Sequence, residues 1–137
     1  MVKKNILLFL GLLILDQITK LIVSVTNASI DLKILSINFI HNTGAIWGFF
    51  QNSNMVFIWI SLIAIGVLLY FQDKFSEKSL PFYTLLLAGV IGNLMDRIFR
   101  GYVVDFIDFK IWPVFNFADA FIVIGVIGLI IYTWKEN

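Results

Sequence analysis

GYVVDFIDFKIWPVFNFADAFIVIGVIGLIIYTW, from Gly101 to Trp134, decides how this chain must be built. From Ala118 to Trp134 it is almost wholly apolar, near the lower end of the roughly 17 to 25 residues that a bilayer-spanning helix needs. The part before it sets Asp105, Asp108 and Asp119 among Val, Ile, Phe and Trp. An ionised carboxylate there is expensive unless something pairs with it or uses it. The reading is a group of acids held at a membrane surface, and the rest of the sequence has to explain the placement.

Composition agrees with a membrane protein. Of 137 residues, 60% are hydrophobic and only 14% charged, against about a quarter charged in soluble domains. The net charge of +1 and the lack of a Lys/Arg-rich run argue against nucleic acid as a partner. No cysteine is present, which removes disulfides, thiolate metal sites and cysteine nucleophiles together. The lone histidine, His41, offers little for a zinc site.

Moving outward, three more apolar segments match the first in length. The spans are expected at about 5–25, 55–71, 81–98 and 118–134, within a single membrane-embedded domain covering 1–137. The fold class is therefore all-α and polytopic. The basic start Lys3-Lys4 with a short apolar core resembles a secretory signal, but the apolar run continues through Asp16, Gln17 and Lys20 to Val25 without a small-residue cleavage site. Asn54 is expected to cap the second helix, Pro81 to sit in the first turn of the third, and Asn116 to cap the fourth. Four spans put both termini on one side. Lys3, Lys4, Lys74, Lys78 and Lys135 fall there, against Lys33, Arg100 and Lys110 opposite, so the termini are expected to be cytoplasmic.

The first external loop alternates apolar and polar residues through Ile30, Leu32 and Ile34 and again through Leu35, Ile37 and Phe39. That is a period-2 strand pattern with a bulge or slip near Ile34, giving a small external β-sheet. Gly44 to Phe50, with Trp47 at its centre, reads as an amphipathic segment lying on the bilayer. No internal repeat or second domain is evident.

Several polar groups stand where a simple span would not have them. Asp16 and Lys20 sit inside the first apolar segment at i,i+4 spacing. The plain reading is an intrahelical ion pair with Lys20 snorkelling to the interface; the functional one is that intramembrane ionisable residues serve a site. The third helix ends in GVIGNLMDRIFRG, with Asn93, Asp96 and Arg97 on one face and Asp96 able to pair with Arg100. This suits a polar helix end with Gly101 after it, or a fixed positive charge beside a reacting group. Ala88, Gly89 and Gly92 suit close helix packing. Asn116 with Asp119 resembles a capping box, which by itself accounts for Asp119. It does not account for Asp105, fourteen residues earlier, with Pro113 bending the chain between them.

If the bend brings Asp105 to Asp119, the two cannot both ionise easily and titrate as a pair. One member can then activate water while the other protonates a leaving amine. This is peptide hydrolysis without metal, serine or cysteine. There is no G-x-S-x-G or S-x-x-K motif to offer another route.

Five motifs then stand in order: DQITK (16–20), HNTGAIWG (41–48), AGVIGNLMDR (88–97), GYVVDFIDF (101–109) and FNFADA (115–120). With four spans and this length, the chain closely resembles the lipoprotein signal peptidases, or signal peptidase II, over almost all of its extent. The resemblance implies an aspartic peptidase of the bacterial inner membrane, with its site near the external face. Its substrate would be a diacylglyceryl-modified prolipoprotein, cut just before the lipidated cysteine. By motif position Asp105 and Asp119 would be the catalytic dyad, Asn42, Gly44, Asn93, Arg97 and Asn116 would line the substrate site, and Asp16, Lys20 and Asp96 would support it. The same resemblance implies membrane lipid as surroundings, no cofactor or metal, action as a monomer, and an external β-cradle near the site. Ile46 stands where the family often has Ala, which is expected to narrow the lipid groove.

A small four-helix transporter using an intramembrane carboxylate is the competing class. Its acid would lie near the midplane, whereas these acids gather toward the helix ends.

Overall fold

The computed structural model describes residues 3–44 and 53–136. Among the described residues there are four α-helices: α1 (Lys3–Thr26), α2 (Asn54–Tyr70), α3 (Leu80–Phe99) and α4 (Phe117–Glu136). A three-stranded antiparallel sheet, β1 (Ser29–Asp31), β2 (Ser36–Asn42) and β3 (Val103–Asp108), is ordered β1-β2-β3. A short 3-10 turn, Gln72–Lys74, follows α2.

Three of the helices, over Lys4–Thr26, Leu80–Phe99 and Phe117–Lys135, are long and apolar enough to cross a membrane. The other, α2, has 17 residues and so covers roughly 26 Å of a hydrocarbon core of about 30 Å. Outward faces carry Leu7, Ile14, Ile18 and Ile22 on α1, Met55, Trp59 and Ile63 on α2, and Ile124, Ile127 and Ile130 on α4, all exposed. Such surfaces belong in lipid rather than water. The chain is a multi-pass membrane protein.

Helix α3 is the hub, packing against α1, α2 and α4. Small residues make this possible. A side chain at Gly89 would meet the carbonyl oxygen of Ala118 and the backbone of Ile122 on α4, and one at Gly92 would stand 2.7 Å from Oδ2 of Asp16 on α1. Pro81 sits in the first turn of α3, and the helix ends at Arg100 with Gly101 at φ +81°, the left-handed turn glycine favours.

The sheet lies on the end of this bundle. Val23 of α1 packs with Val104 and Phe106 of β3, and Ile37, Phe39 and Phe117 close around them. Strand β2 pairs with β3 from Ser36 opposite Asp108 to Asn42 opposite Val103. The interruption expected as a bulge near Ile34 is instead a reverse turn, in which the Leu32 amide donates to the Leu35 carbonyl at 2.9 Å and Lys33 takes φ 67°. The irregularity lies further on, between Ile37 and Ile40 in the β2–β3 register. A hydropathy pattern cannot separate a turn from a slip when the turn itself is apolar.

Two more expectations change. Asn54 does not cap α2: it is the first helical residue, and its side-chain Nδ2 donates to the Arg97 carbonyl at 3.0 Å. Nor does Lys20 snorkel; it is fully buried. The amphipathic segment around Trp47, with Ile46, lies outside the described residues.

Candidate active site

The site is assembled where β3, the ends of α3 and β2, and the start of α4 converge. Residues 109–113 turn the chain after β3, and Phe115 returns to pair with Ile107, its amide donating to the Ile107 carbonyl at 3.0 Å. That return places Asn116 and the first turn of α4 beside Asp105. The α4 start is a full capping box: the Asp119 amide donates to Asn116 Oδ1 at 2.9 Å, and the Asn116 amide donates to Asp119 Oδ2 at 3.1 Å.

Capping leaves the other Asp119 oxygen and the Asn116 amide nitrogen available. Asp119 Oδ1 accepts from Asn93 Nδ2 at 2.8 Å. Asn116 Nδ2 donates to Asp105 Oδ1 at 2.7 Å and to Asn93 Oδ1 at 3.2 Å. The second Asp105 oxygen accepts from Asn42 Nδ2 at 2.7 Å, and Asn42 Oδ1 in turn accepts the Gly44 amide at 2.9 Å. Asp105 and Asp119 are thus joined by amide bridges through Asn116 and Asn93.

Burial and charge both act on Asp105, which is only 3% exposed. Its pKa is pushed up to about 7, first by burial and then by the negative charge of Asp119, against the hydrogen bonds from Asn42 and Asn116 and the charge of Lys20. Near neutral pH this carboxyl holds a proton part of the time.

A second polar cluster supports the first. Lys20 Nζ lies 2.9 Å from Asp16 Oδ2 and 2.9 Å from Asp96 Oδ2, and donates to Asn93 Oδ1 at 3.0 Å. Asp16 Oδ1 accepts the Ala118 amide at 2.9 Å, an orphan donor in the first turn of α4. Asp96 accepts the Val104 amide at 3.3 Å and pairs with Arg100 at 3.7 Å. The cluster therefore ties α1, α3, α4 and β3 together. Asp108 lies apart, its Oδ1 accepting the Lys110 amide at 2.7 Å in the turn after β3.

Arg97 reaches over the site from α3. Its guanidinium carbon sits 5.1 Å from the Phe57 ring centroid, in cation–π range. It donates at 3.5 Å to the carbonyls of Asn93 and Gly44, while among the described residues Nε is buried without a partner. A cleft of about 980 Å³ opens in front of both aspartates, with Asn42, Gly44, Asn93 and Arg97 on its polar side. Its other wall is apolar, with Phe57 and Ile60 from α2, Val90 from α3, and Val123 and Ile124 from α4.

Of the ten site residues expected from sequence, Asn42, Gly44, Asn93, Arg97, Asp105 and Asp119 line this cleft. Asn116 bridges the aspartates from behind, and Asp16, Lys20 and Asp96 form the supporting cluster. Sequence reasoning missed His41, Phe57 and Trp112, which also line the cleft. His41 stood inside a quoted motif, but Phe57 gave no signal beyond an ordinary apolar span.

Fold and site together define a multi-pass membrane protein with a paired-aspartate cleft open toward its lipid-facing helices. The family model described as signal peptidase (SPase) II matches residues 8–135. The chain belongs to the signal peptidase II family and is a peptidase. Similar proteins include a lipoprotein signal peptidase of Halothermothrix orenii, 38% identical over 132 residues and covering 91% of each chain. One of Fusobacterium nucleatum is 39% identical, covering 92% of this chain and 83% of its own. Among solved structures, a bacterial membrane enzyme determined by the in meso method superposes with a TM-score of 0.90 at 35% identity, covering 99% of this chain and 90% of its own.

Proposed function

We propose that this chain is an aspartic endopeptidase that removes signal peptides from diacylglyceryl-modified prolipoproteins, cutting before the lipidated cysteine. The observation that carries the reading is Asp105 and Asp119 facing one cleft, each accepting two hydrogen bonds and linked through Asn116 and Asn93. With one proton shared between them, the ionised carboxylate takes a proton from water as its oxygen attacks the scissile carbonyl. The protonated partner then gives its proton to the amine as the C–N bond breaks.

Asn42, Gly44, Asn93, Arg97 and Asn116 position the peptide, while Asp16, Lys20 and Asp96 hold the ends of α1, α3 and α4 in register. The apolar wall of the cleft suits a signal-peptide segment and lipid chains entering from the bilayer. The name borne by the relatives, lipoprotein signal peptidase, supports this substrate class. The enzyme works as a single domain and a monomer in the bacterial cytoplasmic membrane, with cytoplasmic termini and the cleft near the external face. The lysine distribution supports that orientation.

The test uses purified protein with a precursor peptide bearing or lacking the diacylglyceryl group. Cleavage of the lipidated form alone is expected, and it is lost in Asp105→Asn and in Asp119→Asn while both variants remain folded. Undiminished turnover in either variant sinks the dyad.

A further inference from the structure

The sheet ends in two tips that repeat each other. Ile30-Asp31-Leu32-Lys33-Ile34-Leu35 closes the hairpin between β1 and β2, and Ile107-Asp108-Phe109-Lys110-Ile111-Trp112 carries β3 into its return toward α4. Both read Ile-Asp-apolar-Lys-Ile-apolar, a six-residue echo that the expectation of no internal repeat overlooks. Their backbones repeat as well. The Asp31 carboxylate accepts the Lys33 amide at 3.0 Å, and the Asp108 carboxylate accepts the Lys110 amide at 2.7 Å. Beyond each lysine the isoleucine amide donates back across it, Ile34 to the Leu32 carbonyl at 2.8 Å and Ile111 to the Phe109 carbonyl at 2.7 Å. Lys33 and Lys110 take φ 67° and 65°. A γ-turn at positive φ is rare and strained for a residue with a side chain, and this chain makes it twice.

The tips stand side by side. Ser36, at the start of β2, faces Asp108 at the end of β3, and Lys110 Nζ lies 3.6 Å from Asp31 Oδ2 across the gap. Ile34 is 77% and Ile111 94% exposed, with Leu32, Phe109 and Trp112 exposed around them. A contiguous apolar patch of this kind marks a contact surface.

Two observations identify what covers it. Phe109 and Trp112 share the wall of the cleft with Ile60 of α2 and Ile124 of α4, whose side chains are exposed on the lipid-facing sides of their helices. One tip therefore continues the lipid-contacting surface. The composition is also that of the headgroup level, where Trp settles and Lys buries its stem while its ammonium reaches outward.

We propose that the paired tips insert into the headgroup–acyl boundary of the bilayer the helices cross, pinning the sheet beside the mouth of the cleft. Two Asp and two Lys make the tips electrically neutral as a set, so apolar insertion, not attraction to anionic lipid, supplies the drive. This does not depend on the peptidase reading.

The test exploits the absence of native cysteine. Ile34→Cys and Ile111→Cys, and Asp73→Cys as an exposed control in the loop after α2, each carry one nitroxide label in full-length protein reconstituted into phosphatidylcholine nanodiscs, with and without phosphatidylglycerol. Both tip labels are expected to relax with oxygen and to be shielded from a water-soluble nickel chelate, equally in the two lipid mixtures, while the control is open to nickel. Tip labels as open to nickel as the control overturn the proposal. So does shielding that appears only with added precursor peptide, which would make the tips a substrate contact. Label–label broadening from a second protein copy would make them a dimer interface and overturn it equally.

Discussion

Lys20 Nζ donates to Asn93 Oδ1 at 3.0 Å across a sequence separation of 73 residues. An ammonium has three protons and no acceptor, and the other two face Asp16 and Asp96 at 2.9 Å each. The Asn93 atom facing Lys20 must therefore be its oxygen, which turns the Asn93 amide nitrogen toward Asp119. One buried cation fixes the orientation of an amide in the cleft.

Replacing Lys20 should therefore separate stability from activity. Lys20→Met leaves two buried carboxylates with too few partners and is expected to cost about 3–5 kcal/mol, read as a lower thermal midpoint in detergent. Asp16→Asn/Lys20→Met removes one of those acids and should recover much of the stability. Cleavage should stay reduced by about tenfold or more, about 1.4 kcal/mol in the barrier, because Asn93 is no longer held. A double variant that cleaves at the wild-type rate would show that Lys20 serves folding alone.

The raised pKa of Asp105 makes a prediction about stability and pH. Its folded value, about 7, lies above its ordinary 3.8, so between these values the folded state binds more protons than the unfolded chain. Stability should therefore fall as pH rises through that window. Asp105→Asn removes the charge that burial opposes. The variant is expected to be more stable than wild type by up to a few kcal/mol at pH 8, with the gap closing toward pH 4. Thermal midpoints across this range decide it; a variant less stable than wild type at pH 8 contradicts the cause assigned to the shift.

Under the proposed dyad mechanism the same proton sets the alkaline limit of cleavage. A dyad that must hold one proton loses it as pH rises through the pair's upper titration. Turnover of a lipidated precursor should decline from near pH 7 upward. Activity flat to pH 9 would argue that Asp105 does not carry the proton given to the amine.

Much of this was legible in the sequence, for physical reasons. Spans follow from apolar length, and the capping box followed from Asn116 and Asp119 standing three apart before an apolar run. Long-range partners were not legible. Lys20 at i,i+4 from Asp16 looked like a local pair because helical spacing reports only neighbours on one helix, while Asp96 and Asn93 come from α3. Asn54 looked like a cap because its type and place suit one, yet its side-chain Nδ2 is taken by the Arg97 carbonyl. The turn at Leu32–Leu35 was hidden because its residues are as apolar as the strands beside it.

The α3–α4 contact should tolerate no added volume at Gly89. A methyl there meets the Ala118 carbonyl oxygen and the Ile122 backbone, which cannot rotate away as a flexible side chain could. Gly89→Ala is expected to cost about 1–3 kcal/mol through overpacking, despite the better helix propensity of Ala. Gly66→Ala on α2 is the control, since nothing lies within 4 Å of its added methyl. Equal thermal midpoints for the two variants would mean that α4 can shift, and with it Asp119.

Arg97 offers the sharpest separation of binding from folding. Among the described residues its guanidinium makes two long contacts at 3.5 Å, leaves Nε buried without a partner, and lies over the Phe57 ring. A planar fork so little used by the described residues is available to carbonyl oxygens of a bound peptide. Lysine keeps the charge but not the fork or the stacking. Arg97→Lys should therefore lower kcat/KM for a lipidated precursor by about 10-fold or more, a loss near 1.4 kcal/mol per decade, while changing the thermal midpoint little. Full activity in Arg97→Lys would reduce Arg97 to a point charge. Lost activity with an equally large loss of stability would make it a strut between α3 and the Gly44 loop.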